Sequence, residues 1–534
     1  MLEPAWDIFI FLMTFIMLKI AFIIMLIIAK QNLFAISVDS NYYRLCKVWG
    51  FLKYYDNEIK KKNINWDERF LDISKSNNIS NKVIEESLLF GNEKFESTKS
   101  IQKSWISDTF FLSSRISKYL NHLYSTNCNK NSKYVIFNEN TGVPFFSQES
   151  TINDTLLCNQ FGYRFLTFCN LWNTYYYFYP YKKEMNINLD SLFFKYLPLV
   201  HKASNFSDYY IVLMKFAFEL KDTHTSIYCK YLPSYWGKKV IAFTIKKSGD
   251  YFIINNLYQS QENLRIGDTI SSINGIILLE KYRYLKSIIQ CSNEISTENK
   301  VLQYLLFVNE NDVEIKKINN NALIKTTTLT FDEVNNIINT NKISLPPIIL
   351  NDTSIYIDLT TIKEKELDSI LYIITEQKIG LNKKIIFDLR GYPKYTNNIY
   401  TLSKYIKPSY KPFAVFYQNN YCKVGEFYFD SVENNKYKYD KKNEHKYNSI
   451  IVLVNNRTIS HAEYVCMLLQ SNPATKVIGE KTSGANGNVT TLTLPFGIKV
   501  NFSSIGVYYP NYIDTPQGNG IKSICEAPHS LKIK

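Results

Sequence analysis

Apolar residues change their spacing several times along this chain, and each change marks a different kind of element. Residues 8–29, IFIFLMTFIMLKIAFIIMLIIA, are apolar apart from Thr14 and Lys19. At about 1.5 Å per residue, a helical run of that length crosses a bilayer. A second reading starts translation at Met17, so that MLK is a basic n-region, residues 20–29 an h-region, and cleavage falls near Ala35 to Ser37. Both readings export the body of the chain. Residues 41–55, NYYRLCKVWGFLKYY, carry helical spacing, and helix-like runs recur at 192–203 and 208–221. The pattern then shortens. KVIAFTIKK and DYFIINNLY read as strands, and Gly267-Asp268 and Asn274-Gly275 supply tight turns around the apolar TISSI. Residues 301–345, rich in Asn, Lys and Thr, read as connecting strands and loops.

After residue 346 strands and amphipathic helices alternate. TSIYIDL, KKIIFDLRG, SIIVLVN and KVIG are the strands; EKELDSILYIITEQ, TNNIYTLSKYI and SHAEYVCMLLQ are the helices between them. That alternation predicts a helix-covered, mostly parallel sheet. The fold class is therefore α/β in a multidomain α+β arrangement, with a β domain and an N-terminal helical region. In such sheets, sites form where strand ends meet helix starts.

A length of 534 residues suggests about three domains. Hydrophobic residues make up 46% and aromatic residues 15% of the chain, which excludes a disordered protein. The formal charge is +14, but the lysines are scattered among Asn, Ile and Tyr, so the charge does not form a nucleic-acid-binding stripe. The runs KKK and KYKYDKK lie beside acidic or amide residues and read as solvated faces. Nine widely spaced cysteines without a C-x-x-C pair give neither a zinc site nor a regular disulfide framework. Export would permit one or two disulfides. No metal or cofactor is implied.

Ser460 lies where the strand SIIVLVN turns through NRT into a helix, so its hydroxyl and the first free N–H groups of that helix share a space. Such groups can hold the oxyanion of an acyl-transfer intermediate. A serine there can also be a plain N-cap. The surrounding text distinguishes the two readings. T-I-S-H-A-E at 458–463, G-E-K-T-S-G at 479–484 and L-P-F-G at 494–497 follow in order. Upstream lie IIFDLRGYP (385–393), LKDTHTSIY (220–228) and VWGFLKYY (48–55). In this order the segments resemble the C-terminal-processing (tail-specific) serine peptidases, in their tricorn-core-like and retinoid-binding-protein-like branch. NLRIGDTISSINGI resembles the L-x-x-G-D-x-I-x-x-I-N-G run of a PDZ domain.

The apolar start reads as an anchor or signal peptide at 1–37, and the resemblance implies a helical region carrying the His element at 38–232, a PDZ-like domain at 233–300 and a crotonase-like peptidase core at 301–534. It implies Ser460 as nucleophile, with the backbone N–H groups of Gly391 and His461 holding the oxyanion. The lysine base of one branch is missing: Ala485 stands at its position, and Lys481, four residues earlier, would lie about 13 Å away along an extended strand. His224 is then the base, since an imidazole titrates near neutral pH. Thr223 would orient it through its hydroxyl. His461 is a weaker base, because its helical position turns it from Ser460. Where the family's supporting carboxylate falls, the chain has Gln517, and Asp222 is the alternative on the opposite strand face. Ser523-Ile524 replaces the family's Pro-Asp. These features predict an extracytoplasmic serine endopeptidase, membrane-anchored or periplasmic or secreted. It would act on a peptide or protein or on its C-terminus, touch the membrane through its N-terminal segment and bind no nucleic acid. An inactive binding or scaffold protein of the same fold is the alternative, favoured by the departures at Ala485, Gln517 and Ser523.

Overall fold

The computed structural model describes residues 39–521 apart from 77–78, 91–103, 109, 127–131, 148, 150–151, 233–235, 261–262, 319–321, 341–345 and 431–436. The chain forms two compact units. The first comprises residues up to Asn127, Gln160–Asn173 and Asp190–Lys202; the second takes the remainder. Among the described residues no helix is long and apolar enough to cross a membrane. The apolar stretch 8–29 and Ser523-Ile524 lie outside the described residues.

The first unit is helical, built on α1 (residues 39–55), α2 (Trp66–Ser74), α3 (Ser114–Thr126), the start of α4 (Phe161–Phe178), and α5 (Leu189–Lys202). The segment VWGFLKYY is explained by contacts. Trp49 and Trp66 exchange indole N–H to carbonyl bonds at 3.0 and 3.1 Å, locking α1 to α2. Gly50 allows α4 to approach: a Cβ there would sit 2.0 Å from Asn173 Oδ1. Asn173 in turn donates to the Cys46 carbonyl (3.1 Å), tying the two helices with a buried bond, and to the Cys169 carbonyl (2.9 Å) within α4.

The second unit contains α6 (Phe206–Phe218), which stops short of residue 221 because Lys221 takes φ 49°, a left-handed conformation that ends helices. Strand β1 (Ser226–Cys229) follows. Next comes a β region: β2 (Lys239–Ile241), β3 (Phe243–Ser248), β4 (Tyr251–Leu257), β5 (Thr269–Ile273), α7 (Leu278–Ile288), α8 (Glu294–Leu305), β6 (Asp312–Lys317) and β7 (Leu323–Thr330). Its sheet runs β3-β4-β5-β6-β7-β2, with short strands Ile276–Ile277 beside β5 and Phe307–Val308 beside β2. Strands past residue 300 thus complete this sheet.

The alternating segment forms β8 (Ile348–Leu350), β9 (Ser354–Asp358), α9 (Glu364–Glu376), β10 (Lys384–Asp388), α10 (Asn398–Ile406), β11 (Val415–Asn419), β12 (Phe427–Asp430), β13 (Ile450–Val454), α11 (His461–Gln470) and β14 (Thr475–Gly479). Strands β9, β10, β13 and β14 are parallel, and β8 closes one edge antiparallel. Leu367, Leu371, Leu402, Leu468 and Leu469 share one core with Ile385, Phe387 and Val452, all fully buried. Each such side chain contributes about 1.5–3 kcal/mol by leaving water. Asp358 pairs with Asp388, Asp388 with Leu453, and Leu453 with Ile478. The strands therefore end together, and the loops after β10, β13 and β14 share one edge. A second, antiparallel sheet, β12-β11-β16-β15, uses β15 (Asn488–Leu494) and β16 (Ile498–Tyr508), and β1 pairs with β16.

Candidate active site

The turn between β13 and α11 is hydrogen-bonded at nearly every residue. Thr458 Oγ1 accepts from Asn455 N–H (3.0 Å) and donates to Leu389 O (2.6 Å), which binds the turn to the D-L-R-G segment. Ser483 N–H donates to Thr458 O, and its hydroxyl to Asn456 O, bringing the loop after β14 alongside. Within this frame Ser460 has φ 54° and ψ −117°. A serine in that region is strained by about 1–3 kcal/mol, whereas ordinary caps such as Asn205 and Asn293 are extended, at φ −143° and −146°. The sharp turn places a half-buried serine at the head of α11, as a nucleophile between strand and helix requires.

Glu463 holds the strained residue. Fully buried on the first turn of α11, its carboxyl accepts from the N–H groups of Ser460 (3.2 Å), Gly484 (2.8 Å) and Ala485 (3.0 Å) and from the Thr482 hydroxyl. Burial pushes its pKa up to about 7 despite these four donors. Ser460 N–H also donates to Ala485 O at 2.8 Å. The position of the other branch's lysine is therefore a buried alanine inside this clamp, while Lys481 is exposed.

The N–H groups of Gly391 and His461 donate to no protein acceptor among the described residues. Asp388 fixes the Gly391 segment: it accepts from Arg390 N–H (2.8 Å), the Arg390 guanidinium (2.6 Å) and the Tyr356 hydroxyl (2.7 Å). The His461 ring points elsewhere, with Nε2 3.1 Å from Thr396 O; burial lowers its pKa and the carbonyl partly restores it.

His224 lies on a turn closed by a bond from Thr225 N–H to Asp222 O. Asp222, fully buried, accepts from His224 N–H (3.0 Å) and from Ser503 N–H (2.8 Å), and its Oδ1 is 3.4 Å from His224 Nδ1. Burial opposes its ionisation, but His224 and the two N–H donors outweigh it and hold its pKa below the usual value. Nδ1 also contacts Ser503 Oγ at 3.0 Å, and Nε2 is buried without a partner. Thr223, expected to orient His224, does not: the turn puts Asp222 and His224 on one side and Thr223 on the other, where its hydroxyl bonds Ser292 (2.9 Å). Ser503 is the hydroxyl on the imidazole. Gln517 is buried, accepting from Asn486 N–H (3.3 Å) and donating to Ser292 Oγ (3.1 Å), so it meets Thr223 through Ser292 and does not touch His224. No hydrogen bond joins His224 to Ser460. Strands β1 and β16 set the His224 turn beside Ser503, and β15, paired with β16, begins just after the Ala485 loop.

A model of peptidase family S41 matches residues 355–524. This segment is a peptidase family S41 domain. It carries Ser460, Gly391, Glu463, Ser503 and Gln517, while Asp222 and His224 reach the S41 domain from outside the matched residues. No curated protein sequence matches the chain. Among solved structures, mature CPAF complexed with lactacystin is similar at TM-score 0.51 and 12% identity, covering 70% of this chain and 94% of that one. A serine-to-alanine mutant of CPAF gives TM-score 0.50 and 11% identity, over 70% and 93%. A photosystem II D1 C-terminal processing protease is 15% identical over 68% of this chain and 92% of its own, with TM-score 0.39. At these identities the CPAF likeness speaks for the fold. The S41 domain marks the chain as a serine-type peptidase.

Sequence reasoning missed Ser503, Ser292 and the role of Glu463. Glu463 had a signal, as the last residue of T-I-S-H-A-E. The two serines had none, because their role comes from strand pairing and a packed turn. Among the described residues no group of three His, Cys, Asp or Glu side chains could hold a metal.

Proposed function

We propose that this chain is an endopeptidase that cleaves peptide bonds through an acyl-enzyme on Ser460. The observation that carries the reading is the strained backbone of Ser460 beside two N–H groups without acceptors. His224 Nε2, buried and bare, takes the Ser460 proton as Oγ attacks the scissile carbonyl carbon. The oxyanion is held by the N–H groups of His461 and Gly391, each such donor lowering the barrier by ~3–4 kcal/mol. Asp222 and Ser503 hold Nδ1, and the Asp222 charge stabilises the imidazolium. The imidazolium then protonates the leaving amine, and water, deprotonated by the same ring, releases the acyl group. Contact between His224 and Ser460 tightens when substrate fills the site, as hydrogen bonds in free enzymes commonly do.

The β region between β2 and β7 acts as a PDZ-like module. Strand β3 lies at the edge of its sheet next to α8, where an extended segment or a C-terminus can add as a further strand. The substrates are exported or envelope proteins. The apolar stretch 8–29 supports this location, since a run of that length reaches across a bilayer.

The test is labelling of the full chain, in detergent, by a fluorophosphonate probe. Wild type is expected to label and Ser460→Ala not. Equal labelling of the two rejects the reading and favours the inactive binding protein.

A further inference from the structure

Helix α8 and the turn before it touch both halves of the site. At its start Asn293 Nδ2 donates to the carbonyls of Thr482 (3.1 Å) and Ser483 (3.0 Å), and Ser296 Oγ to Ser483 O (2.8 Å). That loop also carries the Thr482 hydroxyl and Gly484 N–H that the Glu463 carboxyl accepts. Towards the His turn, Ser292 Oγ accepts from Thr223 N–H at 2.9 Å, and its own N–H donates to Thr223 Oγ1 at 3.2 Å. One turn and a half along α8, the Lys300 ammonium donates to Thr223 O (3.0 Å) and to Thr225 O (2.6 Å). These two carbonyls flank His224 in the chain. The Lys300 ammonium also lies over the ring of Phe218, the last residue of α6, with Nζ 5.3 Å from the ring centre. Burial lowers the Lys300 pKa, and the Cys291 thiol and Asp222 pull it back only in part.

We propose that Lys300 is a positioning residue for His224: from helix α8 of the β region, its ammonium draws in the two carbonyls on either side of the base and sets the direction of the ring. Asp222 and Ser503 act on Nδ1, and Asp222 also holds the His224 and Thr225 N–H groups, but neither residue holds the carbonyl side of the turn. The Thr223 carbonyl and the Thr225 carbonyl are fixed by one charge-assisted donor, and a small shift of the mount moves Nε2 relative to Ser460. A misplacement of about 1 Å lowers the rate ~100-fold. The same helix grips the Ser483 loop, so α8 sets both partners of the proton transfer from one rigid element. This inference rests on His224 being the base.

Two measurements on the full chain test it. Lys300→Met keeps an unbranched side chain of similar length and removes the donors. It is expected to slow fluorophosphonate labelling of Ser460 by ~10- to 100-fold with the melting temperature nearly unchanged. Amide hydrogen exchange at residues 223–225 is expected to speed up ~10-fold or more. Lys300→Arg, which can still donate to both carbonyls, restores both. The probe is small, so binding of a peptide to the β region does not enter the readout. Labelling of Lys300→Met at the wild-type rate overturns the proposal, as does unchanged exchange at 223–225. Should wild type itself fail to label, the peptidase reading falls, and the exchange measurement still decides whether Lys300 holds this turn. Should Lys300→Met fail to fold, Lys300→Gln, with one donor, replaces it under the same criteria.

Discussion

Replacing Asp222 by Asn keeps the size and shape of the side chain and removes one charge. In the folded protein Asp222 is fully buried and sits 3.4 Å from His224 Nδ1, which itself is only 11% exposed, so water screens the pair weakly. When the imidazole takes the Ser460 proton, attraction across that distance at an effective dielectric near 20 is about 5 kcal/mol. At 1.36 kcal/mol per tenfold, loss of that attraction slows acylation by between three and four orders of magnitude. There is a second effect. One oxygen of Asp222 accepts from Ser503 N–H at 2.8 Å and the other from His224 N–H at 3.0 Å, so the new amide must point NH2 at one of these donors. An unmet buried donor costs about 1–3 kcal/mol of stability. The assay is stopped-time fluorophosphonate labelling of Ser460 with a thermal melt of the same samples. Asp222→Asn is expected to fold with a lowered melting temperature and to label about a thousandfold more slowly. Wild-type labelling in a folded Asp222→Asn protein refutes the reasoning and removes Asp222 from the mechanism.

The strain at Ser460 predicts that Ser460→Gly is more stable than Ser460→Ala, by about 1 kcal/mol once the added freedom of the unfolded glycine is subtracted; urea titration checks it, and a more stable alanine variant contradicts it. Glu463 has a folded pKa of about 7 against an ordinary value of 4.5. The folded state therefore holds this proton more tightly, so its effect is absent below pH 4.5 and stability falls as pH rises from there to 7, by about 3 kcal/mol in all. Glu463→Gln should flatten that stretch of the stability profile, and an unchanged slope would count against the shift. Asp222 has the opposite sign: its lowered pKa contributes stability above the ordinary value of 3.8 that is lost as pH falls through the folded value, so Asp222→Asn should be less sensitive to acid than wild type. Gly50→Ala drives a methyl onto the Asn173 side chain and breaks its bonds to Cys46 and Cys169, lowering stability by about 1–3 kcal/mol by denaturant titration.

The parallel sheet was legible because it is written in local pattern. Each of TSIYIDL, KKIIFDLRG, SIIVLVN and KVIG is an apolar run bounded by turn residues, and burial between helices needs no more information than that. The turn at Ser460 was legible for a similar reason, as a strand, a turn and a helix start within a few residues. The conformation of Ser460 was not, since a serine that caps a helix and one bent to φ 54° have the same letters around them. The strain is enforced by Glu463 and the Ala485 carbonyl, and its presence depends on the loop after β14 folding back.

The amino-acid sequence by itself determined the order of strands and helices, the place of Ser460 at a strand-to-helix junction and the absence of a lysine at position 485. Those are matters of spacing along the chain. Tertiary structure alone decided what surrounds His224. Thr223 is its neighbour in sequence but faces Ser292, while Ser503, on another strand 279 positions away, touches its ring. The reason is physical. A turn of four residues fixes which side chains share a face, and strand pairing between distant segments brings the partners to that face, so the groups on an imidazole are set by backbone geometry and sheet register together.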